Sequence, residues 1–368
     1  MRIAIASTGD PLAPGAWSGV GPGVVRGLRA RGVDVVGVDA TPQAPLRVAG
    51  QGLAFARTRS RIDAHYTPAQ HALRSRVAAR RLHAHGPVDA AVLLGAEFEL
   101  PAGTRFATLS DLTLRQARAT HPVFSRLSGD VFAAWEERQR AIYARAVACC
   151  AASAWTARSL EEDYGLARAK VPVVGFARNH EPGPHSGDWS APRFLFVGRE
   201  WERKNGPVVL EAFAELVATQ PSARLDVVSE HPPLSGAGVT GHGPLRLDRP
   251  AEAARVAGLF AAATCFVMPS EVEPFGIAYA EAGAAGVPSI ATAVGGAGTI
   301  VTPETGVLVT PGDRAALLAA MRRLSDPAAA RAMGEAALAR AELFTWEAVA
   351  GRLLFALGLA GGDAEALV

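Results

Sequence analysis

Two glutamates, Glu273 and Glu281, bracket the most informative segment of the chain, PSEVEPFGIAYAEAGAAGVP at 269–288. The apolar run CFVM precedes it, which predicts a strand over 265–268 that ends at Pro269. Gly276 opens a short helical pattern, and Gly286 with Pro288 closes it. The expected geometry is a helix start at the carboxyl edge of a strand. Amides of Phe275, Gly276 and Ile277 would then lack intrahelical acceptors and form an anion site. Carboxylates accept hydroxyl protons strongly, so Glu273 and Glu281 beside such a site suit a ligand with phosphate and several hydroxyls. The same spacing fits a plain capped helix, since Glu is a good helix former. Glu271 and Glu273 also have the spacing of a carboxylate pair for Mg²⁺.

A second segment, FLFVGREWERKNG at 194–206, delivers Gly198 and Arg199 to the end of a strand. Lys204 follows, before a helix that Asn205 or Gly206 would cap with Pro207 in its first turn. Two cations and a helix N-terminus can neutralise a diphosphate without a metal. Lys170 and Lys204 are the only lysines of the chain, so Lys204 is not solubility filler. Glu200, Glu202 and Arg203 read as a solvated loop of mixed charge. A third segment, PGAWSGVGPGVVRGLRARG at 14–32, is a glycine-rich loop entering a helix, a geometry that lets backbone approach a phosphate or sugar. It lacks the register of the dinucleotide glycine pattern and equally fits a turn.

Elements must hold these segments. Short apolar runs at 2–7, 33–39, 88–94, 105–110 and 147–153 alternate with helical patterns at 19–30, 68–84, 131–146 and 155–164. That alternation predicts βαβ units and a parallel sheet. Residues 176–192, FARNHEPGPHSGDWSAP, read as a linker. A second series follows, with strands at 194–197, 225–228, 265–268, 289–291 and 306–309 and helices at 207–218, 251–262, 277–285 and 314–324. The tail 331–358 reads as helical throughout. The expected fold class is α/β: two Rossmann-like, doubly wound parallel-sheet domains facing a cleft, over 1–175 and 193–344, with a terminal helix at 345–368 returning to the first. Such sheets bind ligands at the carboxyl ends of their strands.

Composition narrows the function. With 368 residues, 49% hydrophobic and 20% charged, the chain is globular and long enough for two cores. A net charge of +2 with interspersed signs argues against a nucleic-acid surface. No apolar run approaches a membrane span, and the N-terminus reads as a strand rather than a signal peptide. Three cysteines, two of them adjacent, cannot staple the chain. A cytoplasmic location is expected.

Together the three segments resemble retaining glycosyltransferases of family 4, which have the GT-B fold. Glu273 and Glu281 match the E-x7-E motif, and Gly198, Arg199 and Lys204 match G-R-x4-K. Trp17-Ser18-Gly19 looks like the amino-terminal glycine loop that reaches the donor diphosphate. Ser110-Asp111-Leu112-Thr113, Ser153-Ala154-Trp155, Val307-Leu308-Val309 with Pro311-Gly312-Asp313, and Phe344-Thr345-Trp346-Glu347 extend the likeness over almost the whole chain. The resemblance implies transfer from a nucleoside-diphosphate sugar to an acceptor hydroxyl of a small molecule, glycan or lipid, with retention and without cofactor or metal. Front-face attack assisted by the leaving phosphate is the implied route. Arg199 and Lys204 would hold the diphosphate, with Gly198 and the Ser18-Gly19 loop beside it. Glu281 would accept from ribose hydroxyls, and Glu273 would contact the transferred sugar beside amides of Phe275, Gly276 and Ile277. Asp111 is the candidate acceptor-side carboxylate, although a cap or turn also suits it. Three departures stand out: Ser110 replaces a common His, Ser18 replaces a glycine, and 295–299, GGAGT, lacks the usual Glu. They keep two alternatives open: a non-catalytic sugar-nucleotide-binding partner subunit, and a GT-B pseudoglycosyltransferase or epimerase.

Overall fold

A computed structural model describes residues 1–360 and Leu367. It divides into two compact units, one of residues 1–175 with 346–368 and one of Phe176–Thr345.

The first unit runs β1 (Arg2–Ser7), α1 (Val20–Ala30), β2 (Asp34–Asp39), α2 (Ala44–Thr58), α3 (Arg61–His65), α4 (Pro68–Ala84), β3 (Ala90–Leu94), β4 (Phe106–Ser110), α5 (Leu114–Thr120), α6 (Gly129–Arg145), β5 (Ala148–Ala151) and α7 (Ala154–Glu162). Its five strands are ordered β2-β1-β3-β4-β5, all parallel. β3, β4 and β5 are buried at every residue, as expected of strands covered on both faces. Crossing from β2 to β3 reverses the direction of winding, so the switch point lies between β1 and β3. The three cysteines are free and buried.

The second unit runs β6 (Arg193–Val197), α8 (Gly206–Thr219), β7 (Arg224–Val228), β8 (Val239–Gly241), α9 (Pro250–Ala262), β9 (Cys265–Met268), α10 (Ile277–Ala284), β10 (Ser289–Thr292), β11 (Gly306–Val309), α11 (Arg314–Arg323) and α12 (Pro327–Ala341). Its six strands are ordered β11-β10-β9-β6-β7-β8, again parallel. The winding reverses between β6 and β9, and the two strands at that switch point carry the two motif loops.

Three expectations need correction. Residues 176–192, expected as a linker, fall within the second unit: Phe176 and Ala177 are buried, the Phe176 ring lies 5.3 Å from that of Phe275, and Arg178 donates to the Ala341 carbonyl at 2.8 Å. A Pro/Gly-rich stretch can be ordered when aromatic burial and carbonyl acceptors fix it. The tail is not one helix. α12 ends at Ala341, Thr345 is extended, and α13 (Trp346–Ala356) begins afresh in the first unit. The expected terminal helix also takes in 361–366 and Val368, which lie outside the described residues. Finally, α2, α3 and α5 were not anticipated.

The glycines of α1 have a packing role. A Cβ at Gly23 would overlap the Trp346 ring, and one at Gly27 would overlap the Trp346 carbonyl. Gly21 faces the Pro11 carbonyl at 2.5 Å from where its Cβ would lie. Gly23 and Gly27 let α13 lie close against α1. Of the glycines in the 14–32 segment, Gly15 and Gly19 belong to the loop before α1.

Candidate functional site

In the second unit, Gly198 leaves β6 and the chain turns back on itself before α8. Glu200 and Asn205 adopt left-handed φ of 56° each. Backbone bonds from Lys204 to Glu200, Asn205 to Glu202 and Gly206 to Trp201 close the loop. Trp201 is 5% exposed and packs edge-on against Phe196, 5.2 Å between ring centroids. Its indole fills the space a Cβ at Gly206 would need. The Lys204 stem lies over Gly198, whose Cβ would sit 3.2 Å from Lys204 Cγ. The glycine therefore lets the lysine fold back over the tip of β6.

That lysine meets the other motif. Lys204 Nζ forms a buried ion pair with Glu273 Oε2, the side chains 10% and 9% exposed. Ser270 Oγ donates to the same oxygen at 3.4 Å. The loops are stitched along their length: Asn205 Nδ2 donates to the Pro269 carbonyl at 2.7 Å, Arg203 Nη1 to that of Val272 at 2.9 Å, and the Glu271 amide to the Arg203 carbonyl at 3.0 Å. Three expectations change here. Asn205 occupies the cap position of α8, but its side chain makes no cap and clamps the Pro269 loop instead. Arg203 is a strut between the loops rather than part of a solvated face. The Glu271 and Glu273 pair is not a free carboxylate pair, because Glu271 is exposed and Glu273 is held by an ammonium. Among the described residues, no three His, Cys, Asp or Glu gather as metal ligands.

Glu273 is also anchored through its backbone, bridged to Gly295, while the Gly296 amide donates to its carbonyl at 2.7 Å. Gly295 has φ 86°, and a Cβ there would overlap the Glu273 backbone. Beyond Glu273, Gly276 caps α10 with φ 94° and ψ 62°, and its missing side chain leaves room for the Tyr279 ring. Tyr279 donates to the Met268 carbonyl at 2.6 Å, tying the helix start to the end of β9. α10 has no side-chain cap, so the Ile277 and Ala278 amides remain available at its positive end. The Phe275 ring packs between those of Phe176 and Phe344.

Glu281 faces away from Lys204 and Glu273 in its bonding. The Asn179 amide donates to its Oε1 at 3.4 Å, and the His180 amide adds a second bond. Complete burial pushes its carboxyl up to about 7, and those two amide bonds only partly offset the shift. Arg199 is exposed and its guanidinium has no hydrogen-bond or ion-pair partner among the described residues. The structure thus joins Lys204 to Glu273, seats Gly198, Phe275, Gly276 and Ile277 around them, and gives Glu281 and Arg199 separate surroundings.

In the first unit the glycine loop stands by the switch point. Trp17 and Ser18 have φ of 52° and 55°, and Gly19 follows at 89°. Three successive left-handed residues, two of them with side chains, are costly and need support. Part comes from Gly95, just beyond β3, whose missing Cβ would lie 3.0 Å from the Trp17 ring. Gly19 caps α1 without a side-chain bond. Asp111 follows β4, and its carbonyl accepts the Thr156 hydroxyl. It is not a helix cap: Thr113 caps α5 in a box with Gln116, with bonds of 3.2 and 3.0 Å. Ser110 is buried and bonds to the Tyr143 phenol.

The sequence reading missed a polar cluster at the ends of β1 and β3. Thr8 donates to Glu97 at 2.8 Å, and the buried Arg74 reaches Glu97 at 3.9 Å and His65 Nε2 at 2.6 Å. One helical turn away, His71 is 6% exposed and neither ring nitrogen has a hydrogen bond. Burial, then Arg138 and Arg74, push its imidazole down to about 4. Arg74 opens an arginine-rich run, 74–81, in which nothing in the sequence marks it as the buried one. The native imidazole stays neutral where an unfolded one would charge, near 6.5. Acidification from pH 6.5 to 4 should therefore remove about 3 kcal/mol of stability through His71. Denaturant melts of the native chain and His71→Leu at pH 7 and 4.5 check this; equal losses in both would refute the assignment.

Comparison with known proteins defines the class. Two parallel α/β units of this kind are the GT-B glycosyltransferase fold. Along 96% or more of this chain, solved structures share it: sucrose-phosphate synthase from Thermosynechococcus elongatus (TM-score 0.66, 21% identity, 98% of this chain and 100% of that one) and WaaG, a glycosyltransferase involved in lipopolysaccharide biosynthesis (0.61, 16%, 98% and 100%). Residues 191–326 match the family model for glycosyl transferases group 1. Among curated relatives, the D-inositol 3-phosphate glycosyltransferase of Segniliparus rotundus is 36% identical over 189 residues, 45% of this chain and 40% of that protein. The glycogen synthase of Mycobacterium tuberculosis is 32% identical over 202 residues, 50% of this chain and 45% of that protein. The chain thus spans less than half the length of these relatives. Among the described residues, no helix is long and apolar enough to cross a membrane.

Proposed function

We propose that the chain transfers a sugar from a nucleoside-diphosphate sugar to an acceptor hydroxyl, with retention, without a metal, and by front-face attack. The observation that carries this reading is the buried Lys204 and Glu273 pair on the two loops that leave β6 and β9 at the switch point. An ammonium and a carboxylate held together there suit a ligand that is anionic at one end and hydroxyl-rich at the other.

In this reading the donor diphosphate takes over Lys204 from Glu273, and the freed carboxylate accepts hydroxyls of the transferred sugar. Arg199, exposed and unpartnered, adds the second positive charge, and the uncapped start of α10 adds amides. As the glycosidic bond breaks, charge grows on the leaving phosphate, where fixed cations stabilise it most. Glu281 would receive ribose hydroxyls, and Asp111 would lie on the acceptor side. The relatives' names suggest a polyol phosphate or an α-glucan as acceptor.

The test is release of nucleoside diphosphate from a panel of sugar nucleotides with such acceptors, and the anomeric configuration of the product by NMR. An inverted product would overturn retention; donor binding without turnover would favour a partner-subunit role. Arg199→Ala should raise donor KM ten- to a hundredfold, as expected for a lost charged hydrogen bond, while leaving the melting temperature unchanged. A normal KM would remove Arg199 from the site.

A further inference from the structure

Ser270, two residues past the end of β9, has one proton and two buried acceptors for it. The residue is fully buried, at 0% exposure. Its Oγ stands 3.4 Å from Glu273 Oε2 and also hydrogen-bonds the Tyr279 phenol. Tyr279 is not the donor in that second contact, because its own proton goes to the Met268 carbonyl at 2.6 Å. A serine hydroxyl supplies a single hydrogen, so phenol oxygen and carboxylate compete for it. A separation of 3.4 Å is long for an O–H···O bond, which ordinarily closes to about 2.8 Å. The buried ion pair accounts for the slack: the Lys204 ammonium already satisfies the oxygen that Ser270 would serve.

A donor diphosphate that takes over Lys204 removes that satisfaction. The groups around Glu273 offer little else in its place. On the β6 loop, Arg203 is committed to Glu200 and to the Val272 carbonyl. In its own loop, Glu271 is a second carboxylate, and the Ser270 amide is spent on the Met268 carbonyl. On α10, Tyr279 keeps its proton on Met268, and the Gly296 amide is bound to the Glu273 carbonyl. We infer that Ser270 is a positioning residue for Glu273: its hydroxyl turns onto the carboxylate when a diphosphate draws Lys204 away, and relaxes toward the Tyr279 phenol when the diphosphate leaves. A bond to an ionised acceptor is roughly twice as strong as a neutral one, so the freed carboxylate outcompetes the phenol. The turn is a rotation about the Cβ–Oγ bond and needs no backbone movement. It holds Oε2 in place and leaves Oε1 for hydroxyls of the transferred sugar. The inference rests on Lys204 being the diphosphate ligand, as in the reading above.

Two measurements on the full chain test it. The first is a denaturant double-mutant cycle at pH 8. Ser270→Ala should lower the folding equilibrium constant at least tenfold more in the Lys204→Met background, where Glu273 depends on Ser270, than in the native one, the scale of a lost bond to a charged group. A hydroxyl that merely fills space would cost the same in both, and equal costs would overturn the proposal. The second is calorimetry with ADP, GDP and UDP. Ser270→Ala should weaken binding of whichever diphosphate the native chain prefers by about tenfold or more, with an unchanged melting temperature. Native affinity in that variant would overturn the proposal, and this arm decides alone if Lys204→Met fails to fold. If the native chain binds none of the three, the reading of Lys204 as a diphosphate ligand falls instead, and the cycle still decides whether Ser270 backs a freed Glu273.

Discussion

Glu273→Ala should lower the stability of the second unit by about 3–5 kcal/mol, because it strands the Lys204 ammonium in a site where the residue is 8% exposed. The loss is asymmetric in a way that identifies its cause. Lys204→Met alone removes the cation but leaves a buried carboxylate with only the 3.4 Å Ser270 bond, so it is also costly. Combining Lys204→Met with Glu273→Gln removes both charges and should recover most of the stability, since a buried pair replaced as a whole is often neutral. A double-mutant cycle in denaturant gives the coupling directly. Turnover should follow the opposite logic. Each single variant should lose at least a hundredfold in kcat/KM, the scale of a removed charge-stabilising group, and the double variant should stay inactive despite folding well. A double variant as unstable as either single one would show that the pair is no energetic unit. Near-native turnover in any of the three would remove the pair from the chemistry.

Glu281→Gln should stabilise the protein at alkaline pH and do nothing in acid. The native carboxyl titrates near 7, against an ordinary value of 4.5, so between those values the folded chain binds more protons than the unfolded one. Stability then falls as pH rises through that window and levels off above it, by about 3 kcal/mol in total. Glutamine keeps an oxygen for the Asn179 and His180 amides and carries no charge to desolvate. The two proteins should melt together at pH 4.5 and diverge by pH 8.5, with the variant more stable. A constant difference across that range would refute the assignment. His71 has the opposite slope, losing stability toward acid, and it lies in the other unit, so fluorescence probes placed in each unit separate the two.

The parallel strands were the most legible part of the molecule. Runs such as AAVLL at 90–94 are apolar at every position because both faces are covered, and no surface requirement blurs them. α2 escaped detection for the converse reason: its apolar residues face outward, so they lack the pattern that marks a core-facing helix, and Gly50 and Gly52 resemble loop punctuation. The stretch 176–192 misled because its prolines and glycines are visible in the sequence while the Phe176 and Phe275 contact is not. Within the site, residue types and spacing brought out Lys204 and Glu273, but not their direct pairing, which depends on two loops folding back over adjacent strand tips. The roles of Asn205 and Arg203 as struts are equally non-local. Glycine proved ambiguous: Gly19, Gly276 and Gly295 supply left-handed backbone, whereas Gly23 and Gly27 only make room for Trp346. Nothing in a single sequence distinguishes these uses.

The first unit is assembled from two stretches of chain separated by the whole of the second. During synthesis, β1 to α7 emerge from the ribosome well before Trp346 is translated, and until then the glycine-lined flank of α1 has no helix to lie against. A nascent or prematurely terminated product ending short of residue 346 would carry that bare groove, a natural foothold for chaperones and proteases. Folding of the amino-terminal half is thus completed by α13 only once the carboxyl-terminal half has been made.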